Sequence, residues 1–336
     1  MTKLRCSVVG LGMGAGHCTK IAQMETAMLV AVADINEVRA KGIAEKHGVD
    51  WYADYHQLLK RDDIDVVVVA TPNGLHAKVG IDAARAGKHV FTEKPIDASL
   101  EMADKLIEAC RKAGVKLGVN FQNRFARDNM KIKRWIASER FGRLIIGEAR
   151  LKWHRGQRYY DSSGWRATWD LEGGGSLINQ GIHYVDLLQW FMGPVESVLG
   201  KIAILTHKIQ TEDFSAALLR FKNGAVGTLL STTAVYRKLG SGEEPGWLKD
   251  VSSIQIHGEK GNVETLNNKI RTCEFADEIE ESQESGSPFA DAIEDFVDAV
   301  HNDREPLING EEGRKSLEVV KAVYHSALTG KEIQLL

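Results

Sequence analysis

The sequence has little of what would place it in a membrane, in an oxidising compartment or on a nucleic acid. No apolar run approaches the roughly 18 residues that a membrane span requires. The four cysteines, Cys6, Cys18, Cys110 and Cys273, are scattered with no C-x-x-C pair, which suggests reduced thiols rather than a disulfide framework. The formal charge is -3 and no basic cluster is present, so a nucleic-acid partner is not expected. The eleven histidines form neither H-E-x-x-H nor a Cys/His zinc spacing, so no metal site is expected. The first residues run straight into an apolar strand without a signal-sequence pattern. A soluble, cytoplasmic protein is the expectation.

What remains is an ordinary globular composition, 43% hydrophobic and 26% charged over 336 residues, enough for about two domains. Residues 5–9 read as a strand, followed by Gly10-Leu11-Gly12-Met13-Gly14-Ala15 and a helix to about residue 24. Gly10 allows the tight turn, Gly12 lets the backbone approach a pyrophosphate, and Ala15 keeps helix and strand close. The helix amino terminus faces the negative charge. A second strand at 28–33 leads to Asp34, and an acidic residue about 20 positions past the glycines is where ribose hydroxyls are held. Asp34 should repel a 2′-phosphate and favour NAD, with Arg39 partly offsetting that repulsion.

The stretch 66–95 reads as a βαβ unit. Its first strand is a β-branched run suited to burial on both faces. After the break at Thr71-Pro72-Asn73 comes an amphipathic helix with Val79, Ala83 and Ala84 on its apolar side, ending at Ala86-Gly87. The second strand ends in Glu93-Lys94-Pro95. Polar residues at the carboxyl ends of such strands line the ligand crevice, so Lys94 should face a ligand while Pro95 locks the backbone behind it.

A helix at 99–113 and a strand at 115–121 complete a first domain, 1–124, and lead into Gln122-Asn123-Arg124-Phe125. The second domain, 125–336, should hold a helix at 128–138 and strands at 143–153, 195–207, 216–221, 225–232, 252–257 and 262–266. Asn223-Gly224 marks a hairpin. Helices follow at 288–302 and 311–328, and the acidic stretch 277–284 reads as a solvated loop.

A second chemical site lies at 173–183. A glycine run precedes a helix from about residue 176 to 192 that puts Asn179, His183 and Asp186 on one face. A lone histidine in an apolar helix is more often a hydrogen-bonded structural residue than a catalyst, so the residues alone leave both roles open for His183, although His is the side chain that takes a proton near neutral pH. Upstream, 153–169 is rich in rings that stack on sugars and guanidinium groups that grip carboxylate or phosphate. Arg124, Arg155, Arg158 and Tyr160 are candidate substrate contacts beside His183, whereas Trp153 and Trp169 read as core.

These motifs resemble the Gfo/Idh/MocA family of nicotinamide-dependent oxidoreductases, which act mainly on sugars, sugar nucleotides and inositols. The resemblance is carried by the GLG turn, TPNGLH (71–76), AGKHVFTEKP (86–95) and GGGSLINQGIHYVD (173–186). It implies an α/β fold: a Rossmann doubly wound parallel sheet, then an α/β domain with a large open, mainly antiparallel sheet. Pairing of that open face implies a homodimer or homotetramer. NAD would lie on Gly10, Gly12, Met13, Gly14, Ala15 and Asp34. Thr71, Pro72, Asn73 and His76, then Glu93 and Lys94, would line it further along, with Gln122, Trp165 and Arg166.

By the same resemblance Lys94 works beside the nicotinamide and His183 is the acid/base, with Asn179 orienting it. The commonest family pattern has Asp where this chain has Asn179. An amide cannot supply the charge that raises imidazole basicity, yet it can hold the ring by a hydrogen bond. Asn in this place resembles the branch that oxidises the 3-hydroxyl of UDP-N-acetylglucosaminuronate. An inositol 2-dehydrogenase is the second enzyme reading. Some relatives keep the fold but only sense ligands; that class would be expected to lose Lys94 or His183, and both are present. The family histidine near the first glycines falls at Cys18 here, and His17 is given no role.

Overall fold

A computed structural model describes residues 2–235, 250–276, 287 and 289–335. The first part of the chain runs β1 (Leu4–Val9), α1 (Gly14–Gln23), β2 (Ala27–Ala33), α2 (Glu37–His47), β3 (Asp50–Tyr52), α3 (Tyr55–Leu59), β4 (Val66–Val69), α4 (His76–Arg85), β5 (His89–Thr92), α5 (Leu100–Ala113) and β6 (Leu117–Val119). Its strands form one parallel sheet in the order β3-β2-β1-β4-β5-β6. This is the doubly wound order, whose ligand crevice opens where growth of the sheet reverses, between β1 and β4. Val9 pairs with Val69 there, so the chain leaves both strands at Gly10 and Ala70 side by side. β4 is wholly buried, as a β-branched strand covered on both faces should be. Local signals set the helix ends: the Ser99 side chain caps α5 at Met102 N–H, and the left-handed Gly114 ends it.

The chain continues through α6 (Arg127–Ala137), β7 (Leu144–Lys152), α7 (Gln157–Asp161), α8 (Ile182–Met192), β8 (Val195–Ala203), β9 (Phe214–Phe221), β10 (Val226–Thr232), β11 (Val251–Gly258), β12 (Gly261–Leu266) and β13 (Lys269–Phe275). It closes with α9 (Ala292–His301), α10 (Gly310–Thr329) and β14 (Ile333–Gln334). The second sheet has the order β13-β12-β11-β7-β10-β9-β8-β14 and is antiparallel except where β10 runs parallel to β7.

Two compact units result, Met1–Phe121 with Asp291–Arg314, and Gln122–Ala290 with Lys315–Leu336. The sequence places all of 125–336 in the second domain, whereas α9 belongs to the first unit. The reason is apolar: Phe296 of α9 packs on Phe91 with ring centroids 5.3 Å apart, and the missing side chain at Gly118 makes room for its ring. β8 stops at Ala203, short of the expected residue 207, while β13 was not anticipated. The Asn223-Gly224 hairpin joins β9 and β10 as expected. The acidic stretch 277–284 lies outside the described residues.

In the second sheet α8 lies against one face, where Met192 and Leu188 take the space left by Gly147. On the other face Ile146 of β7 pairs with Val226 of β10, and Leu218 of β9 pairs with Leu199 of β8, the two pairs offset by two residues because Val226 stands opposite Arg220. They are 41%, 51%, 59% and 43% exposed. Among the described residues no helix is long and apolar enough to cross a membrane.

Candidate active site

At the first glycine turn, Gly10 has φ +89° and a Cβ there would stand 2.6 Å from the carbonyl oxygen of Ala70. Only glycine fits. At Gly12 nothing comes nearer to a Cβ than Arg39 Nη1 at 4.0 Å, so the bare backbone is open to a ligand. α1 begins with no side-chain cap from Met13; the Gly16 N–H donates to the carbonyl oxygen of Met13 at 3.1 Å, and the N–H groups of Gly14 and Ala15 before it are left to an anion. The buried Asp34 carboxylate accepts from Leu11 N–H at 2.7 Å, Asn36 N–H at 2.8 Å and Arg39 Nη1 at 3.2 Å. A carboxylate offers about four acceptor positions, so Asp34 can still accept from a ribose hydroxyl. The turn, the uncapped helix and the acid together fit an adenine dinucleotide.

β5 delivers Glu93 and Lys94 at its carboxyl end. Glu93 Oε1 lies 2.8 Å from His17 Nε2 and accepts from Asn120 Nδ2 at 2.8 Å. Burial alone would raise this carboxyl, but His17, Lys94 and Asn120 outweigh it and hold it down to about 2. Lys94 is half-buried, and its peptide N–H donates to Glu93 Oε2 at 3.2 Å. The Lys94–Pro95 bond is cis. His76 stands between two backbone carbonyls, Nδ1 2.7 Å from Pro95 O and Nε2 2.8 Å from Thr71 O. It therefore ties the Thr71 turn to the Pro95 turn, and burial lowers its pKa. His17, given no role from sequence, turns out to be the partner of Glu93; its place on the buried side of α1 was the one available signal.

In the second unit the glycine run exists for close packing. A Cβ at Gly174 would stand 2.1 Å from the Tyr324 hydroxyl, and one at Gly175 would stand 1.9 Å from the carbonyl oxygen of Glu212. The Glu212 carboxylate accepts from the N–H groups of Gly175 and Leu177 at 2.8 Å each and from the Tyr324 hydroxyl at 3.0 Å. Burial pushes its carboxyl up to about 7 against those bonds. Leu177–Gly181 is then a turn of π-helix before α8. The expected continuous helix is thus interrupted, and the wider turn shifts Asn179 from ideal helical register with His183.

The Asn179 amide nitrogen donates to the Glu172 carboxylate, and to the Tyr159 hydroxyl at 3.2 Å. Glu172 is buried and also accepts the N–H of Ala167. His183 is buried at the start of α8. Asp186, expected on the same face, is fully buried and bridges to Arg124, Nε to Oδ2 at 2.9 Å and Nη2 to Oδ1 at 2.7 Å.

That pair changes the standing of Arg124, whose guanidinium serves packing inside the unit. Arg155 is similar: buried, with Nη1 2.7 Å from Asp250 Oδ2 and 2.7 Å from the carbonyl oxygen of His154. The Tyr160 hydroxyl lies 2.7 Å from Thr233 Oγ1, and burial raises its pKa. Arg158 and Gln122 are exposed, while Trp165 and Arg166 are half-buried, with Arg166 over the Tyr159 ring at 4.2 Å. Trp169 is not core: it is 42% exposed and holds the carbonyl of Gln210, because its ring meets Tyr324 only edge-on. Trp153 is half-buried and donates to Ser252 Oγ at 2.8 Å. Tyr159, Glu172 and Glu212 were not picked out from the sequence.

Comparison with known proteins agrees with both units. Residues 4–121 match the oxidoreductase family with an NAD-binding Rossmann fold, and residues 129–264 match the GFO/IDH/MocA C-terminal domain. The myo-inositol 2-dehydrogenase of Thermotoga maritima is 28% identical over 334 residues, 94% of this chain and 93% of that protein. The scyllo-inositol 2-dehydrogenase (NAD(+)) of Bacillus subtilis is 27% identical over 353 residues, 99% of this chain and 96% of that one. Among solved structures, the WlbA dehydrogenase from Bordetella pertussis in complex with NADH and UDP-GlcNAcA superposes with a TM-score of 0.91 at 34% identity, over 100% of this chain and 99% of that chain. A dinucleotide turn in one unit, a histidine helix behind an open sheet in the other, and likeness along the whole length lead to one conclusion: the chain is an NAD-binding oxidoreductase of the Gfo/Idh/MocA family.

Proposed function

We propose that the protein interconverts a secondary hydroxyl and the corresponding ketone on a sugar nucleotide, with the 3-position of a UDP-linked hexuronate as the best-supported case. The observation that carries this reading is the likeness, at 34% identity over the whole chain, to a dehydrogenase crystallised with NADH and UDP-GlcNAcA. The amide at Asn179 points the same way. Bound NAD supplies the hydride acceptor. Lys94, the half-buried cation at the end of β5, stabilises charge that develops on the substrate oxygen. His183 takes the hydroxyl proton as general base. Asn179, whose amide is turned by Glu172, is the positioning residue one turn before it. Arg158 and Arg166 are the guanidinium groups we assign to substrate and cofactor, while Arg124 and Arg155 keep structural roles.

A second reading, an inositol 2-dehydrogenase, is favoured by the Thermotoga maritima relative at 28% identity. NADH formation with UDP-N-acetylglucosaminuronate, myo- and scyllo-inositol, free hexoses and glucosides separates the two. The highest kcat/KM is expected with the UDP-uronate; a preference for an inositol selects the second reading. NAD binding without turnover of any of them would make the protein a ligand sensor.

We also propose a homodimer or a homotetramer built from dimers, supported by the exposed apolar row on the second sheet. A cytoplasmic setting is supported by the buried thiols of Cys6, Cys18 and Cys110, which burial pushes up to about 12.

A further inference from the structure

The sequence pointed to Tyr160 as the substrate-facing tyrosine, but its hydroxyl is 2.7 Å from Thr233 Oγ1. The neighbouring Tyr159 is half-buried and differently placed. Its oxygen accepts two amide N–H groups, from Asn179 Nδ2 at 3.2 Å and Gln180 Nε2 at 3.1 Å. A phenol oxygen offers two acceptor positions and one hydrogen. Both acceptor positions are filled, so only the hydrogen is left, and among the described residues nothing accepts it.

The direction of the Asn179 bond is fixed from behind. The Asn179 amide nitrogen also meets Glu172, and a carboxylate can only accept. The NH₂ end of Asn179 must therefore face Glu172 and Tyr159 together. Glu172 is itself held by the N–H of Ala167, a backbone donor that cannot turn over. The Arg166 guanidinium lies over the Tyr159 ring at 4.2 Å and limits its movement. Burial raises the Tyr159 pKa, Arg166 opposes this and Glu172 adds to it, so the hydroxyl keeps its hydrogen at neutral pH.

We propose that Tyr159 is a substrate-binding donor, giving its hydrogen to an acceptor oxygen of the carbohydrate, with the direction of donation imposed by Glu172 through Asn179. The inference rests on the carbohydrate-dehydrogenase reading above. Glu172 and Asn179 are positioning residues in this arrangement, and Tyr159 is the group that touches substrate.

The test uses the full-length protein, NAD and the panel of UDP-N-acetylglucosaminuronate, myo-inositol and a glucoside. Tyr159→Phe should raise KM for the preferred sugar about tenfold or more, the worth of one good hydrogen bond. KM for NAD should stay at its wild-type value, while Tm falls because Asn179 and Gln180 lose their acceptor. Glu172→Gln should raise KM in the same way: its carbonyl must keep the Ala167 N–H, so its amide nitrogen faces Asn179. The Asn179 amide then turns over, and its carbonyl captures the Tyr159 hydrogen. Glu172→Asp keeps acceptor-only oxygens and should lie nearer to wild type than Glu172→Gln. An active wild type with an unchanged KM in Tyr159→Phe overturns this inference alone. A raised KM in Tyr159→Phe with no effect of Glu172→Gln overturns the imposed direction. A wild type inert towards the whole panel overturns the functional reading, and this inference with it.

Discussion

His17 and Glu93 meet at 2.8 Å, one from the helix that follows the first glycine turn and one from the end of β5. Each element is contributed by a separate βαβ half of the sheet, so the contact joins the dinucleotide turn to the loop that carries Lys94. Burial would raise the Glu93 carboxyl; His17, Lys94 and Asn120 reverse this and hold it near 2, against an ordinary value of 4.5. A folded pKa below the unfolded one contributes stability that is complete above the unfolded value and is lost as pH falls toward the folded one. The advantage of wild type over Glu93→Gln in urea midpoint should be constant above about pH 5 and shrink progressively toward about pH 3. A gap that widens on acidification would show that the charge on Glu93 does not stabilise the fold.

Lys94→Ala should lower turnover by about 10²-fold or more, the range lost with one charge-stabilising donor. NAD binding, measured by quenching of protein fluorescence, should persist because the turn we assign to the pyrophosphate, Gly10–Ala15, is left untouched. Near-normal turnover in this variant would remove Lys94 from the chemistry.

Asp34→Ser should narrow the preference for NAD over NADP by about tenfold, the scale of one charge-assisted hydrogen bond. The same change releases Arg39 from its ion pair with Asp34, so its guanidinium becomes available to a 2′-phosphate. The ratio of kcat/KM for the two cofactors is the measurement. A ratio that does not move would mean that Asp34 serves only Leu11 and Asn36.

Asn179→Asp tests the amide from another side. From sequence, a carboxylate there would simply strengthen the base at His183. Glu172 changes that expectation, because the variant sets two carboxylates against each other and one of them must hold a proton. A carboxyl whose folded pKa is raised costs stability as pH rises through the interval between its unfolded and folded values. The Tm deficit of Asn179→Asp should therefore grow from about pH 5 to about pH 8. An equal deficit at both ends would show that the two side chains do not share charge.

Light scattering at micromolar concentration should give a dimer or tetramer. Leu218→Lys, at the most exposed position of the apolar row on the second sheet, should shift the population toward smaller species. A strictly monomeric wild type would show that this face is not an interface.

Much of the nucleotide-binding half was legible in the chain itself. The glycine turn, the acid at the end of the second strand and the Glu93-Lys94-Pro95 segment all obey local rules of turn geometry and strand burial. Their positions follow from periods of two and 3.6 residues, which a sequence displays directly. The second half was less legible for a definite reason. A helix was readable at 176–192, but not the π-turn inside it, because that turn answers to Glu212, which reaches Gly175 from 37 positions away. Arg124 and Asp186 pair across 62 positions and Tyr160 and Thr233 across 73, and no periodicity announces such partners.

The residues we assign to the chemistry, a lysine at a strand end and a histidine after a glycine run, were therefore legible in the sequence alone. Which polar side chains face a ligand was decided only by tertiary structure. A guanidinium or hydroxyl has the same composition whether it meets a ligand or a buried partner. Burial makes most such groups take a partner, and the fold chose internal partners for Arg124, Arg155 and Tyr160 while leaving Tyr159 its hydrogen to give.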